Sequence, residues 1–256
     1  MQRSVRHKTI IRAVRSGGHV SVASLAALTG ASAITIRRDL AVLSEAGVLA
    51  RTHGGAVRAT RGMRVPYAER LETDHAAKLA LGSAAAALVC DGETVLIDNG
   101  TTALMVAGQL ASRPIVAMPL SLGAAVALTG GEAEVVLPGG PLDRETLAMS
   151  SVGAVDAIRS FRADAFVLGT CSASLEHGLM SDSWEDADVK KAGIGAAART
   201  ILVATGAKLR RQASFVFARC EDLDCLVTTG DAPAEFLAAL SIAGVAVEVV
   251  GEDGES

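Results

Sequence analysis

Apolar positions fall into two regimes along the chain. Through the first sixty residues they recur at helical spacing; from residue 75 onward they come in short unbroken runs separated by helical stretches. Residues 4–15 place Val5, Ile10, Ile11 and Val14 among basic residues, which predicts an amphipathic helix that leaves Arg3, Arg6, Lys8, Arg12 and Arg15 for solvent or phosphates. Ser16-Gly17-Gly18 supplies its stop. Val20 reads as extended, Ser21 as the cap of a second helix over 22–28, and Gly30 as a turn. In the next stretch, SAITIRRDLAVLSEA at 32–46, Ser32 is the expected N-cap. Ile36, Leu40 and Leu43 form one apolar face, and Thr35, Arg37 and Arg38 fall off it in the first turns. Gly47 stops that helix. Residues 48–52 then read as a strand, His53-Gly54-Gly55 as a hairpin turn and 56–58 as the return. Helix, short helix, turn, third helix and hairpin make up a winged helix-turn-helix.

Residues 59–74 show no sustained period and are expected to be a linker. From His75, helices over 76–89, through 110, and over 121–128, 147–161, 184–198 and 233–240 alternate with apolar runs at 94–97, 115–117, 135–137, 165–168, 201–204, 225–227 and 245–250. That alternation predicts a mostly parallel, doubly wound α/β sheet. The expected organisation is a DNA-binding domain at 1–58, a linker at 59–74 and an α/β domain at 75–250.

Charge sharpens this division. Residues 1–70 hold 12 Lys and Arg against 3 Asp and Glu, while the rest of the chain holds 12 against 25. A basic head on an acidic body points to a polyanion met by the head alone. Half the residues are apolar, which argues against disorder. No uninterrupted apolar run reaches about 18 residues, and the N-terminus lacks an apolar signal core; the expectation is a cytoplasmic protein without a membrane partner. Cys90, Cys171, Cys220 and Cys225 form no CxxC pair, and no metal-ligand spacing is present. No cofactor or metal is expected.

Ligands of doubly wound sheets bind beyond the carboxyl ends of the strands. Asp98-Asn99-Gly100-Thr101-Thr102 stands at such an end and opens a helix. Gly100 admits backbone N–H groups to an anion, Thr101 and Thr102 add hydroxyl donors, and the helix dipole favours negative charge. Pro138-Gly139-Gly140 and Lys208 follow two other strands.

TIRRDL at 35–40 with LSEAGVLARTHGGA at 43–56 closely resembles the N-terminal signature of DeoR-family bacterial transcriptional regulators. The resemblance implies DNA contact from Ser32, Thr35, Arg37 and Arg38, with wing support from Arg51, His53, Gly54 and Gly55. Either arginine suits a guanine or a phosphate. DNGTT, LPGG, ADAFVLG with EHGL after it, Glu185-x-Ala187-x-x-Lys190 and Lys208 resemble the family's sensor domain, which is similar in fold to ribose-5-phosphate isomerase and binds phosphorylated sugars or related metabolites. This implies Gly100, Thr101, Thr102 and Lys208 near phosphate, with Asp98, Glu185 and Lys190 nearer sugar hydroxyls; Gly139 and Gly140 complete the expected ligand loops. Three positions depart from the family pattern: Ala117-Met118-Pro119 replaces Thr-Asn-Ser, Thr205 replaces an Asp, and Thr170-Cys171-Ser172 replaces a glycine-rich loop. The expected function is a transcriptional regulator, a repressor rather than an enzyme. It would form a homo-oligomer on double-stranded operator DNA under a phosphorylated effector. Two alternatives stand beside it: a sugar-phosphate isomerase with an accessory DNA-binding head, and a regulator whose sensor has lost its ligand.

Overall fold

The computed structural model describes residues 3–17, 19–45, 48–58 and 67–251. The expected stops at Gly18 and Gly47, and residues 59–66 of the expected linker, lie outside them. The chain divides into two compact units, Met1–Val65 and Pro66–Ser256.

The first unit runs α1 (Arg3–Gly17), β1 (Val20–Ser21), α2 (Val22–Thr29), α3 (Ala33–Glu45), β2 (Leu49–Thr52) and β3 (Gly55–Arg58). Its sheet has the order β1-β3-β2, antiparallel throughout. Ile10, Val14, Val22, Leu25, Ile36, Leu40, Leu43, Leu49 and Ala56 close one core. Helical periodicity dictates most of it, since residues three and four apart share a face. Val5 breaks the expected pattern: it is 49% exposed and stands outside that core. Ser21 caps α2, accepting from the Ser24 amide at 3.0 Å, and Gly30 ends it in the left-handed region at φ +69°.

The wing corrects the reading of its glycines. Only Gly54 takes a positive φ, +89°. Gly55 is buried, and a Cβ there would lie 2.3 Å from the Val20 carbonyl oxygen. It is a glycine because β1 passes against it.

The second unit begins within the stretch expected to be a linker, with α4 (Tyr67–Glu72). The buried Lys78 fastens α4 to the body by donating to the carbonyls of Arg70 and Thr73. α5 (His75–Ala87), β4 (Thr94–Ile97), α6 (Thr101–Leu110), β5 (Val116–Pro119), α7 (Leu122–Leu128) and β6 (Glu134–Val135) follow. The chain continues with α8 (Val152–Ser160), β7 (Ala163–Leu168), β8 (Ser172–Ser174), β9 (Gly178–Ser181), α9 (Trp184–Ala196) and β10 (Ala197–Ala204). It ends with β11 (Phe215–Ala218), β12 (Cys225–Thr229), α10 (Ala234–Ile242) and β13 (Ala246–Val250). Seven strands form a parallel sheet in the order β13-β12-β10-β7-β4-β5-β6. Val95, Ile97, Val167, Ile201 and Val203 pack one face against α5 and α6; Leu96, Phe166, Leu168 and Leu202 pack the other against α8, α9 and α10. Burial on both faces is why the strands read as unbroken apolar runs.

Two features depart from expectation. β8, β9 and β11 form a separate antiparallel sheet in the order β11-β9-β8. Residues 147–151, expected to be helical, are not: Leu147 sits at φ +58°, its carbonyl accepts from the Leu122 amide at 2.9 Å, and Ala148 bridges to Ser121. Among the described residues, no helix is long and apolar enough to cross a membrane.

Candidate functional site

In the first unit, Ser32 Oγ accepts from the Thr35 amide at 3.2 Å and lies 2.9 Å from Thr35 Oγ1. The cap thereby fixes the start of α3 and turns Ala33, Ile34, Arg37 and Arg38 to solvent. Asp39, one position on, is buried and faces α1: it accepts from Arg6 Nε at 2.5 Å and stands 2.9 Å from His7 Nε2. Burial pushes its carboxyl up, but Arg6 and His7 outweigh this and hold it below the ordinary range. Arg6, expected to face solvent or phosphates, is therefore a structural partner of α3, while Arg3, Lys8 and Arg12 remain exposed on α1. On the wing Arg51, His53 and Gly54 are exposed, and the buried Gly55 presents nothing.

In the second unit the strand order reverses direction at β4. Residues 94–135 build outward through β5 to β6, and β7 then returns to the other side of β4. The crevice at such a switch point, beyond the carboxyl ends, is where a doubly wound sheet offers a site. Asp98 lies there, fully buried. Its amide donates to the Val167 carbonyl at 2.9 Å, and its Oδ2 accepts from the Gly169 amide at 2.8 Å. Lys190, reaching over from α9, pairs with the same Oδ2 and lies 3.3 Å from Asp186 Oδ1. Asn99 Nδ2 donates to Asp186 at 2.6 Å, and Ser181 Oγ does so at 2.6 Å.

Burial would neutralise Lys190, but Asp186 and Asp98 raise it well above its ordinary value, so it is a fixed cation. Burial likewise works against the Asp186 carboxylate; Lys190, Ser181 and Asn99 outweigh it and hold that pKa low. Asp98 is pushed up by burial. Its Oδ1 is buried without a hydrogen-bond partner, as is Thr102 Oγ1. Gly100, at φ +111°, opens α6 with no side-chain cap, and a Cβ there would meet open space. The crevice thus offers uncapped helix amides for an anion, an unused hydroxyl donor and an unused carboxylate acceptor.

The structure gathers Asp98, Gly100, Thr101, Thr102 and Lys190 at this one switch point. Lys208 follows β10, one strand beyond β7, in a short 3-10 helix, Gly206–Arg210. Gly139 and Gly140 follow the edge strand β6, exposed and at φ +76° and +93°. Glu185 is exposed and accepts from Ser183 Oγ at 2.7 Å; the acid facing Lys190 is its neighbour Asp186. Sequence reasoning passed over Asp186, Asn99 and Ser181. Asp186 stands four residues before Lys190, the spacing that joins two side chains on a helix, whereas Glu185 stands five before it. Cys171 lies beside this network, 4.0 Å from Ser181 Oγ; burial, Asp186 and Asp182 push its thiol up, away from thiolate chemistry. Among the described residues, no group of three His, Cys, Asp or Glu is placed to hold a metal.

The chain matches the DeoR C terminal sensor domain over residues 73–230 and the DeoR-like helix-turn-helix domain over residues 6–61. It is 32% identical over 244 residues to an HTH-type transcriptional regulator of Haloferax volcanii, covering 94% of this chain and 96% of the relative. It is also 32% identical over 235 residues to the glycerol-3-phosphate regulon repressor of Haemophilus influenzae, covering 91% of each. Among solved structures, ribose 5-phosphate isomerase A of Methanocaldococcus jannaschii aligns with 50% of this chain and 52% of its own at 15% identity, with a TM-score of 0.38.

Proposed function

We propose, for a chain that belongs to the DeoR family of transcriptional regulators, that the first unit represses transcription by holding an operator duplex and that the second unit releases or tightens this hold on binding a phosphorylated sugar or related metabolite. The observation that carries the reading is α3: a capped N-terminus, an apolar face closed into the core, and Arg37 and Arg38 turned outward. Such a helix end fits the major groove, where a guanidinium bonds guanine or phosphate bidentately. Arg51, His53 and Gly54 place the wing against the backbone, and Ser32 and Thr35 complete the contact from the helix start. Two copies are needed to read paired half-sites, which makes the working form a homo-oligomer.

In the second unit the effector's phosphate sits on the amides and hydroxyls of Gly100, Thr101 and Thr102, with Lys208 as counter-charge. Its hydroxyls face Asp98 and the Lys190 network. Gly139, Gly140 and Glu185 border the site less closely. Effector binding shifts operator affinity only if it favours one of two conformations, a coupling of about 1–3 kcal/mol in typical cases. The reading makes the protein a sensor rather than an isomerase, and what supports it is the pairing of a DNA-facing first unit with a second unit that matches the family's sensor domain.

Arg37→Ala is expected to weaken binding to a selected duplex by about 1–3 kcal/mol and relax preference at one base pair. An unchanged affinity and preference would remove α3 from the interface. Glycerol 3-phosphate and hexose 6-phosphates, tested against their unphosphorylated parents, are expected to raise the melting temperature only when phosphorylated, because a ligand selective for the folded state stabilises it. No shift from any of them would leave a regulator whose second unit takes no phosphosugar.

A further inference from the structure

We infer that Ile34 reads thymine: its side chain packs on the C5-methyl group of a thymine in the major groove, and so sets part of the operator's sequence. The inference rests on the DNA-binding reading of α3 and extends it to a residue that reading leaves unused.

Ile34 is 64% exposed, the most exposed large apolar residue among those described in the first unit. It joins neither the core of that unit nor its fringe. A lone exposed apolar side chain is ordinary on a protein surface; the placement of this one is not. It is the second residue of α3, in the turn that enters the groove first. Arg37 and Arg38 stand three and four residues on and are exposed with it, so the three side chains share one stripe of the helix. The stripe pairs two cations with one branched hydrocarbon. Cations recognise guanine acceptors or phosphates, and neither uses the hydrocarbon. The major groove offers one apolar group, the thymine methyl, and aliphatic contact is how proteins recognise it. Ala33, exposed beside Ile34, adds only a methyl and lets the helix backbone come close to the bases. Ile34 is also stiff at χ1, so packing it costs little rotamer freedom.

The decisive experiment removes the methyl from the DNA and the hydrocarbon from the protein. Duplexes are first selected from a random library with the full-length chain. Each thymine of the selected half-site is then replaced singly by uracil, which keeps every hydrogen-bonding edge and lacks only the methyl. For the native chain, one such replacement is expected to weaken binding about threefold to tenfold, the scale of one or two buried carbon groups. Ile34→Ala should bind the thymine duplex that much more weakly and be indifferent to the same replacement, so the two losses do not add. Ile34→Val should keep most of the discrimination. Ile34 touches no core, so an unchanged melting temperature verifies that each variant is folded. The inference is overturned if the native chain is indifferent to uracil at every position, or if Ile34→Ala discriminates as the native chain does. Failure to select any duplex would sink the DNA-binding reading with it, whereas selection of a defined site followed by either of those results would sink this inference alone.

Discussion

Lys190 is the residue on which the second unit's crevice depends. It is buried between Asp98 and Asp186, and removing one partner of a buried ionic cluster leaves uncompensated charge. Lys190→Met is expected to lower unfolding free energy by about 3–5 kcal/mol, measured by urea denaturation. Asp186 gives the pH signature. Its carboxyl is held below its unfolded value, so its stabilising effect is present above about pH 4 and fades as pH falls through the lower folded value. The stability gap between the native chain and Asp186→Asn should therefore be full at neutral pH and close in acid. At this scale the sequence was legible where periodicity fixes direction: Ile36, Leu40 and Leu43 are buried as their spacing requires. It was less legible where two acids adjoin. Glu185 and Asp186 differ by about 100° around a helix, and it is Asp186, not singled out from the sequence, that faces Lys190. Arg6 was misplaced for a related reason, since nothing local shows that Asp39, far along the chain, lies beside it.

Elements pack closely wherever glycine lets them. In α9, a Cβ on Gly193 would lie 2.5 Å from Phe166 Cε1 and 2.9 Å from Leu96 Cδ2, so the helix rests directly on β4 and β7. Gly193→Ala should destabilise the second unit by about 1–3 kcal/mol through overpacking, read as a lower melting temperature. α9 also carries Lys190, so the same substitution should weaken ligand binding by displacing the ammonium. The helices and buried strands of the second unit were readable because apolar runs between turn residues have few alternatives. The antiparallel sheet was not. Ser172–Ser174, Gly178–Ser181 and Phe215–Ala218 are too short to show alternation, and the third pairs with the second from far along the chain. α4 was hidden because it buries no residue of its own and is held by the Lys78 ammonium, which donates to main-chain carbonyls in and just after it.

For the molecule as a whole, charge follows the division into units. The basic balance lies in the first 70 residues and the acidic balance in the rest, so only the first unit gains from displacing counterions on DNA. Raising salt from 50 to 200 mM should weaken operator binding about tenfold or more, while the melting temperature of the protein alone changes little. A flat response would mean that the basic head does not meet phosphate. This asymmetry was visible in composition; the strand order that creates the crevice was not, because crossovers leave no periodic trace in a sequence.

Trp184 is the chain's one tryptophan, 59% exposed in the first turn of α9, edge-on to Phe215 at 6.2 Å and with the Lys191 ammonium 5.7 Å from its ring. It stands two positions before Asp186. A molecule that pulls Asp186 or Lys190 out of their present pairing acts on the same helix as the indole, and a change in its emission is the expected signal. The protein therefore carries its own fluorophore for the occupancy of its crevice, and a dye-free emission titration can report an effector before anyone knows its name.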